Sequence, residues 1–166
     1  MVCHIREKFT INKNTLLRRY IKPEDVEKYV SGEYDAVRGC ISREGDCNDV
    51  GDFEDIFETF RLDYDNIPYH STDKSYWKIE FKTIPDDLKK INLDNTYGKE
   101  FGGLNEDINP CTRNGFTGAK NGKVIPEWNL KEGIGYDKAL ITKIENGKIV
   151  KQYKYVKENK KWIKIK

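Results

Sequence analysis

ALITKIENGKIVKQYKYVKENKKWIKI, residues 139–165, decides the fold. Asn146-Gly147 separates two runs, Ala139–Glu145 and Lys148–Val156, in which apolar and polar residues alternate. An Asn-Gly pair between alternating runs is the strongest short-range hairpin signal, because both residues accept the positive φ angles of a tight turn. A second turn at Glu158-Asn159 leads into Lys161–Ile165, so the carboxyl-terminal part reads as a β-meander. Upstream, Ser75–Thr83 (SYWKIEFKT) sets Tyr76, Lys78, Glu80 and Lys82 against Trp77, Ile79 and Phe81. That is the pattern of a half-buried strand. Glu33–Ile41 reads as an earlier strand, bent at Gly39.

Helical spacing is confined to the first half of the chain. Residues 10–20 (TINKNTLLRRY) carry a short helical pattern with Leu16, Leu17 and Tyr20 on one side. Pro23, Glu24 and Asp25 suit a helix start, Val26, Tyr29 and Val30 form its apolar side, and Gly32 is a natural stop. In Asp52–Arg61, Phe53, Ile56, Phe57 and Phe60 make an apolar stripe behind acidic residues at the start. A helical turn follows near Asp86–Lys90. Helices first, strands later and no βαβ rhythm predict an α+β fold: N-terminal helices packed on a mainly antiparallel sheet, with a C-terminal β-meander. With 166 residues, no repeat and no linker, residues 1–166 are expected to form one domain.

Composition narrows the function classes. Lys plus Arg number 30 against 28 Asp plus Glu, a balance that argues against general coating of nucleic acid but leaves room for a local basic face. No stretch approaches the roughly 20 apolar residues that span a bilayer. The apolar run after Met1 is broken at once by His4, Arg6, Glu7 and Lys8, so no signal peptide is expected and export would depend on something outside this chain. Cys3, Cys40, Cys47 and Cys111 form no C-x-x-C pair. Four separate thiols are the default expectation. A zinc site from Cys3, His4, Cys40 and Cys47, or a Cys40–Cys47 disulfide in an oxidising compartment, is the alternative.

The chemistry is expected around Asn109–Leu130 (NPCTRNGFTGAKNGKVIPEWNL), a glycine-spaced polar loop ending in Pro126-Glu127-Trp128. From Asn92 to Gly122 there is little regular patterning, and compact domains seldom keep so long an irregular segment without a use for it. Three groups stand out: Arg38 near a strand end, Ser71-Thr72 before the next strand, and Glu127 after the loop. A guanidinium can hold a diphosphate by paired hydrogen bonds. Hydroxyls can brace a nucleotide pocket, and a carboxylate can stabilise positive charge developing on a ribose as its glycosidic bond breaks. The plainer readings are a surface ion pair for Arg38, a turn for Ser71 and Thr72, and backbone turning for the loop glycines.

In this order the groups resemble the Arg, Ser-Thr-Ser and Glu motifs of the ADP-ribosyltransferase toxin fold, over about residues 34–128. Two positions depart from it: the middle motif reads Ser71-Thr72-Asp73, and position 125 holds Ile where Glu or Gln is common. The resemblance implies NAD as substrate, Glu127 as the catalytic carboxylate, and Arg38, Ser71, Thr72 and Phe116 as cofactor contacts. The departure at Ile125 leaves NAD hydrolysis open beside ADP-ribosyl transfer. The chain also looks like the C-terminal toxin domains of bacterial polymorphic and contact-dependent toxins. That likeness implies delivery into a target cell as part of a larger protein, and a cognate immunity protein as partner.

Two further readings stay open. In a metal-independent ribonuclease, His70 would be the base, with Lys74, Lys78 and a hydroxyl nearby and His4 as second partner. The basic, aromatic tail Lys148–Lys166 would then suit RNA. In a non-enzymatic inhibitor or immunity domain, the acidic segment Asp46–Glu58 would bind a protein and no deep pocket would surround Glu127.

Overall fold

The computed structural model describes residues 8–63, 67–91 and 115–166. Among these, seven strands form one antiparallel sheet: β1 (Leu17–Ile21), β2 (Val37–Arg43), β3 (Ser75–Thr83), β4 (Trp128–Ile134), β5 (Tyr136–Glu145), β6 (Lys148–Val156) and β7 (Lys161–Lys164). Their spatial order is β4-β2-β1-β3-β5-β6-β7. Two α-helices, α1 (Pro23–Val30) and α2 (Phe53–Thr59), are set between the early strands, with 3-10 turns at Glu44–Cys47 and Pro85–Lys90. The α+β class is the one expected. No helix among the described residues is long and apolar enough to cross a membrane.

The strongest patterns fold as they read. Asn146 (φ 49°) and Gly147 (φ 75°) take the two left-handed positions of the β5–β6 turn. β3 pairs along its whole length with β5, from Ser75 opposite Glu145 to Thr83 opposite Tyr136. Asp52 caps α2 by accepting a hydrogen bond from the Asp55 N–H at 3.0 Å. Helix α1 starts at Pro23, and its C-terminal turn closes at Ser31 and Gly32 (φ 84°).

Two expectations are corrected. Residues 10–20 do not form a helix: Leu17–Ile21 is a strand hydrogen-bonded between β2 and β3. Trp128–Ile134, which carried no strand expectation, is the edge strand β4, paired with β2 across a bulge between Val37 and Gly39. The helices therefore do not precede the strands.

Side-chain alternation gives the sheet two dissimilar faces. The core face carries Leu17, Ile79, Phe81 and Ile141, all fully buried, together with Ile41, Trp128 and Leu130. Burying one such side chain contributes about 1.5–3 kcal/mol. Val26 and Tyr29 of α1 complete this core. Helix α1 also reaches β7, and Tyr136, Tyr155 and Trp162 meet edge-to-face or tilted. The opposite face is polar in its middle and closed at one end by α2, where Phe53, Ile56, Leu62 and Tyr69 pack with Tyr20 and Tyr76.

Candidate functional site

The polar face is organised by cross-strand pairing. Arg18 of β1 lies directly opposite Glu80 of β3, and Ser42 of β2 is opposite Arg18 on the other side. Arg18 donates to Glu80 Oε2 from Nη2 at 2.9 Å and from Nε at 3.3 Å. Lys78, two residues along β3 and so on the same face, places Nζ 3.0 Å from Glu80 Oε1. One carboxylate thus sits between a guanidinium and an ammonium. A second carboxylate, Glu44, touches Arg18 Nη2 at 3.5 Å from the rim.

These groups are largely sheltered: the side chains of Arg18, Glu80 and Lys78 are 13%, 16% and 17% exposed. Burial acts to raise the Glu80 pKa, but Arg18 and then Lys78 outweigh it and hold the carboxyl below its ordinary value. Burial likewise works against the Arg18 cation, yet Tyr20 and Glu80 keep its pKa above the usual arginine value. Burial pushes the Tyr20 phenol up. The pairing therefore favours the charged forms of both Glu80 and Arg18. Toward β6 it continues through Thr142, which accepts from Gln152 Nε2 at 3.0 Å.

The residues singled out from the sequence fall in different places. Glu127 and Phe116 are brought together: the Glu127 N–H donates to the Gly115 carbonyl at 3.0 Å, and Phe116 bridges to Pro126. Phe116 also meets Phe9 edge-to-face at 5.8 Å. The β2–β4 ladder ends with Ile41 opposite Trp128, so Glu127 lies one residue beyond the last paired rung, while Ser42 continues the cross-strand row through Arg18 to Glu80. Arg38 lies four residues from Ser42 along β2, about 13 Å at the rise of a strand. It is exposed, with its Nε and Cγ close to Gly133 of β4.

Ser71 and Thr72 form an exposed turn before β3, closed by the Asp73 N–H on the His70 carbonyl and by the His70 N–H on Asp73 Oδ2, both at 2.9 Å. That turn leads into the end of β3 where β1 finishes at Ile21, opposite Trp77, away from Glu127. The pair occupies the middle of the turn, and the bonds that close it come from His70 and Asp73. His70 is exposed in the same turn. His4, Cys3, Cys111 and most of the Asn92–Gly122 segment lie outside the described residues.

The Gly115–Trp128 arm is tied to α2 as well as to β2. Asn121 Nδ2 donates to Thr59 Oγ1 at 3.0 Å and to the Asp55 carbonyl at 3.3 Å. Lys123 pairs with Asp55, and Arg61 Nη1 donates to the Gly118 carbonyl. No disulfide joins Cys40 to Cys47; the Cys47 thiol is buried against Ser42 Oγ at 3.8 Å. No group of three His, Cys, Asp or Glu among the described residues could hold a metal ion.

Sequence reasoning missed Arg18, gave Glu80 only as the polar side of a strand, and named Lys78 only as a neighbour of His70. The signal was present: Leu17, Arg19 and Ile21 alternate with Arg18 and Tyr20, as a central strand with one polar face would. No family model matches the chain, and neither a curated protein nor a solved structure matches it.

Proposed function

We propose that the domain is a ribonuclease acting on the Arg18–Lys78–Glu80 face, with a ribose 2′-oxygen as internal nucleophile. The observation that carries this reading is the Glu80 carboxylate held between Arg18 and Lys78 on the polar sheet face. Glu80 accepts the 2′-hydroxyl proton as the O2′–P bond forms. Arg18 neutralises the charge growing on the phosphate oxygens. The P–O5′ bond breaks, and the Lys78 ammonium supplies the proton that the departing oxygen takes up, leaving a 2′,3′-cyclic phosphate. His70, in its exposed turn, is not needed for this sequence. The test is digestion of a uridine oligomer followed by analysis of the ends. Cyclic phosphate ends from the wild type, and none from Glu80→Gln refolded to the wild-type circular dichroism spectrum, are expected. Equal cleavage by the variant refutes the assignment.

A second reading is favoured by one observation, the Phe116–Pro126 bridge and the Glu127 N–H bond to Gly115, which hold Phe116 beside the backbone of Glu127. In it the domain consumes NAD: Glu127 stabilises the ribosyl cation as nicotinamide leaves, and Phe116 offers a ring to the cofactor. Arg38, Ser71 and Thr72 lie further along the sheet and would contact only outlying parts of the cofactor. Nicotinamide release that disappears in Glu127→Gln supports this reading; no release by the wild type removes it. Either activity fits a toxin domain delivered into a cell and restrained by an immunity protein.

A further inference from the structure

Beyond the reacting groups, the polar face continues across β5 and β6 as an open cleft of about 730 Å³, lined by Lys138, Leu140, Gln152, Lys154 and Ile165 among others. The register fixes how this cleft joins the site. Lys82 of β3 is directly opposite Lys138 of β5, Glu80 is opposite Leu140, and Leu140 is opposite Lys154 of β6. Lys154 is thus two strand spacings from Glu80, about 10 Å across the sheet. Lys161 of β7 shares this face, because it pairs with Val156, two residues from Lys154.

None of these four lysines forms an ion pair among the described residues, and two of them, Lys82 and Lys138, confront each other across the ladder. Like charges directly opposite on neighbouring strands destabilise a sheet. The arrangement therefore costs stability until an anion sits between them. Of the acids at the cleft, Asp137 is occupied by Lys157 at 2.9 Å, and Glu158 lines the rim. Apolar surface lies beside the charges: Ile163 and Ile165 are 45% and 49% exposed. Cations on four neighbouring strands with apolar surface beside them suit a flexible polyanion that also carries flat, weakly polar groups, which is the chemistry of a single-stranded nucleic acid.

We infer that Lys82, Lys138, Lys154 and Lys161 form a binding track for single-stranded RNA, crossing β3, β5, β6 and β7 and delivering one phosphate to Arg18 and Glu80. This rests on the ribonuclease reading for its direction but not for its measurement. Successive phosphates along the track exchange their counterions for lysines.

The measurement is fluorescence anisotropy of a 2′-O-methylated uridine oligomer, which binds but cannot be cleaved, titrated at several salt concentrations. Wild type is expected to bind with a clear negative dependence of affinity on salt. Lys138→Ala with Lys154→Ala is expected to lose affinity several-fold and to flatten the salt slope by about 1.4, two contacts at about 0.7 each on a single strand. Lys131→Ala with Lys151→Ala, on the edge strand β4 and on the opposite face, is the control and is expected to bind as wild type. No binding by wild type, or equal loss in the control pair, overturns the track. Binding that follows this pattern in a protein unable to cleave RNA leaves the track standing and removes only the ribonuclease reading.

Discussion

Replacing Glu80 by Gln keeps the shape of the side chain and removes its charge, so it isolates what the anion contributes. In the folded protein the carboxylate receives two contacts from Arg18, at 2.9 and 3.3 Å, and one from Lys78 at 3.0 Å. A hydrogen bond to a charged group is worth about 1.5–3 kcal/mol, but contacts on one group do not add. The Gln carbonyl can still accept from Arg18; its amide then points N–H groups at the Lys78 ammonium. Arg18 falls back on Glu44, which is 3.5 Å away and 39% exposed. Breaking a fully buried ion pair costs about 3–5 kcal/mol. With side chains 13–17% exposed the loss is smaller, about 2–3 kcal/mol. For a domain of this size that is about 5–10 °C in melting temperature.

Acid supplies the internal control. Glu80 is held below its ordinary pKa in the folded state, because Arg18 and Lys78 outweigh the burial that acts to raise it. A depressed carboxyl contributes stability above the unfolded value, near pH 4.3 for Glu, and loses it as the pH falls through the folded value. The gap between wild type and Glu80→Gln, read from urea unfolding with equal slopes, is therefore expected to be full at pH 7 and to shrink below about pH 4.3. A variant within about 0.5 kcal/mol of wild type at pH 7, or a gap unchanged at pH 3, would refute the reasoning.

Two other outcomes follow from packing on the core face and at its edge. Gly39 has φ 87°, and a Cβ there would lie 2.8 Å from the Arg19 guanidinium, which donates to the Cys40 carbonyl. Gly39→Ala is expected to lower the urea midpoint by the equivalent of about 2–3 kcal/mol, since backbone strain and displacement of Arg19 combine. In alkali, burial pushes the phenols of Tyr69 and Tyr136 up to about 12. Their contribution is complete below the unfolded value near 10 and is lost as the pH rises through about 12, so stability measured by urea is expected to fall across that window. Tyr69→Phe, which also removes bonds to the Ile21 carbonyl and from the Trp77 N–H, is expected to lower stability at pH 7 and flatten the alkaline fall.

Legibility in the sequence followed how local the determining interaction was. α1, α2, β3 and the β5–β6 hairpin are encoded within ten residues or so, by a cap, a stripe or an Asn-Gly turn, and all four emerged at the expected places. β1 did not. Its five residues carry three positions that are polar or aromatic, because Arg18 answers Glu80 on one face and Arg19 answers the Cys40 carbonyl on the other. Those partners are 62 and 21 residues away, and without them Leu16, Leu17 and Tyr20 look like one side of a helix. β4 was hidden for a related reason: WNLKEGI spends Lys131 and Glu132 on an exposed edge, where alternation weakens.

The misreading of β1 also explains why Arg18 was not considered beside Arg38. Motif order along the chain selected Arg38, yet sheet register selects partners by rung, and it sets Arg18 between Ser42 and Glu80. An antiparallel sheet with β1 between β2 and β3 brings residues 42, 18 and 80 into one row while leaving residue 38 about 13 Å away from it along β2. The row then extends past Glu80 to Leu140 and Lys154. A ligand with charges spaced along its length can follow such a row from strand to strand, whereas a compact cofactor spans only part of it. This difference in reach is why the extended polymer is preferred over the dinucleotide as the substrate of this face. It makes oligomer length the discriminating variable. Cleavage efficiency is expected to rise as a uridine oligomer grows long enough to reach Lys154, and flat efficiency from the dinucleotide upward would count against that preference.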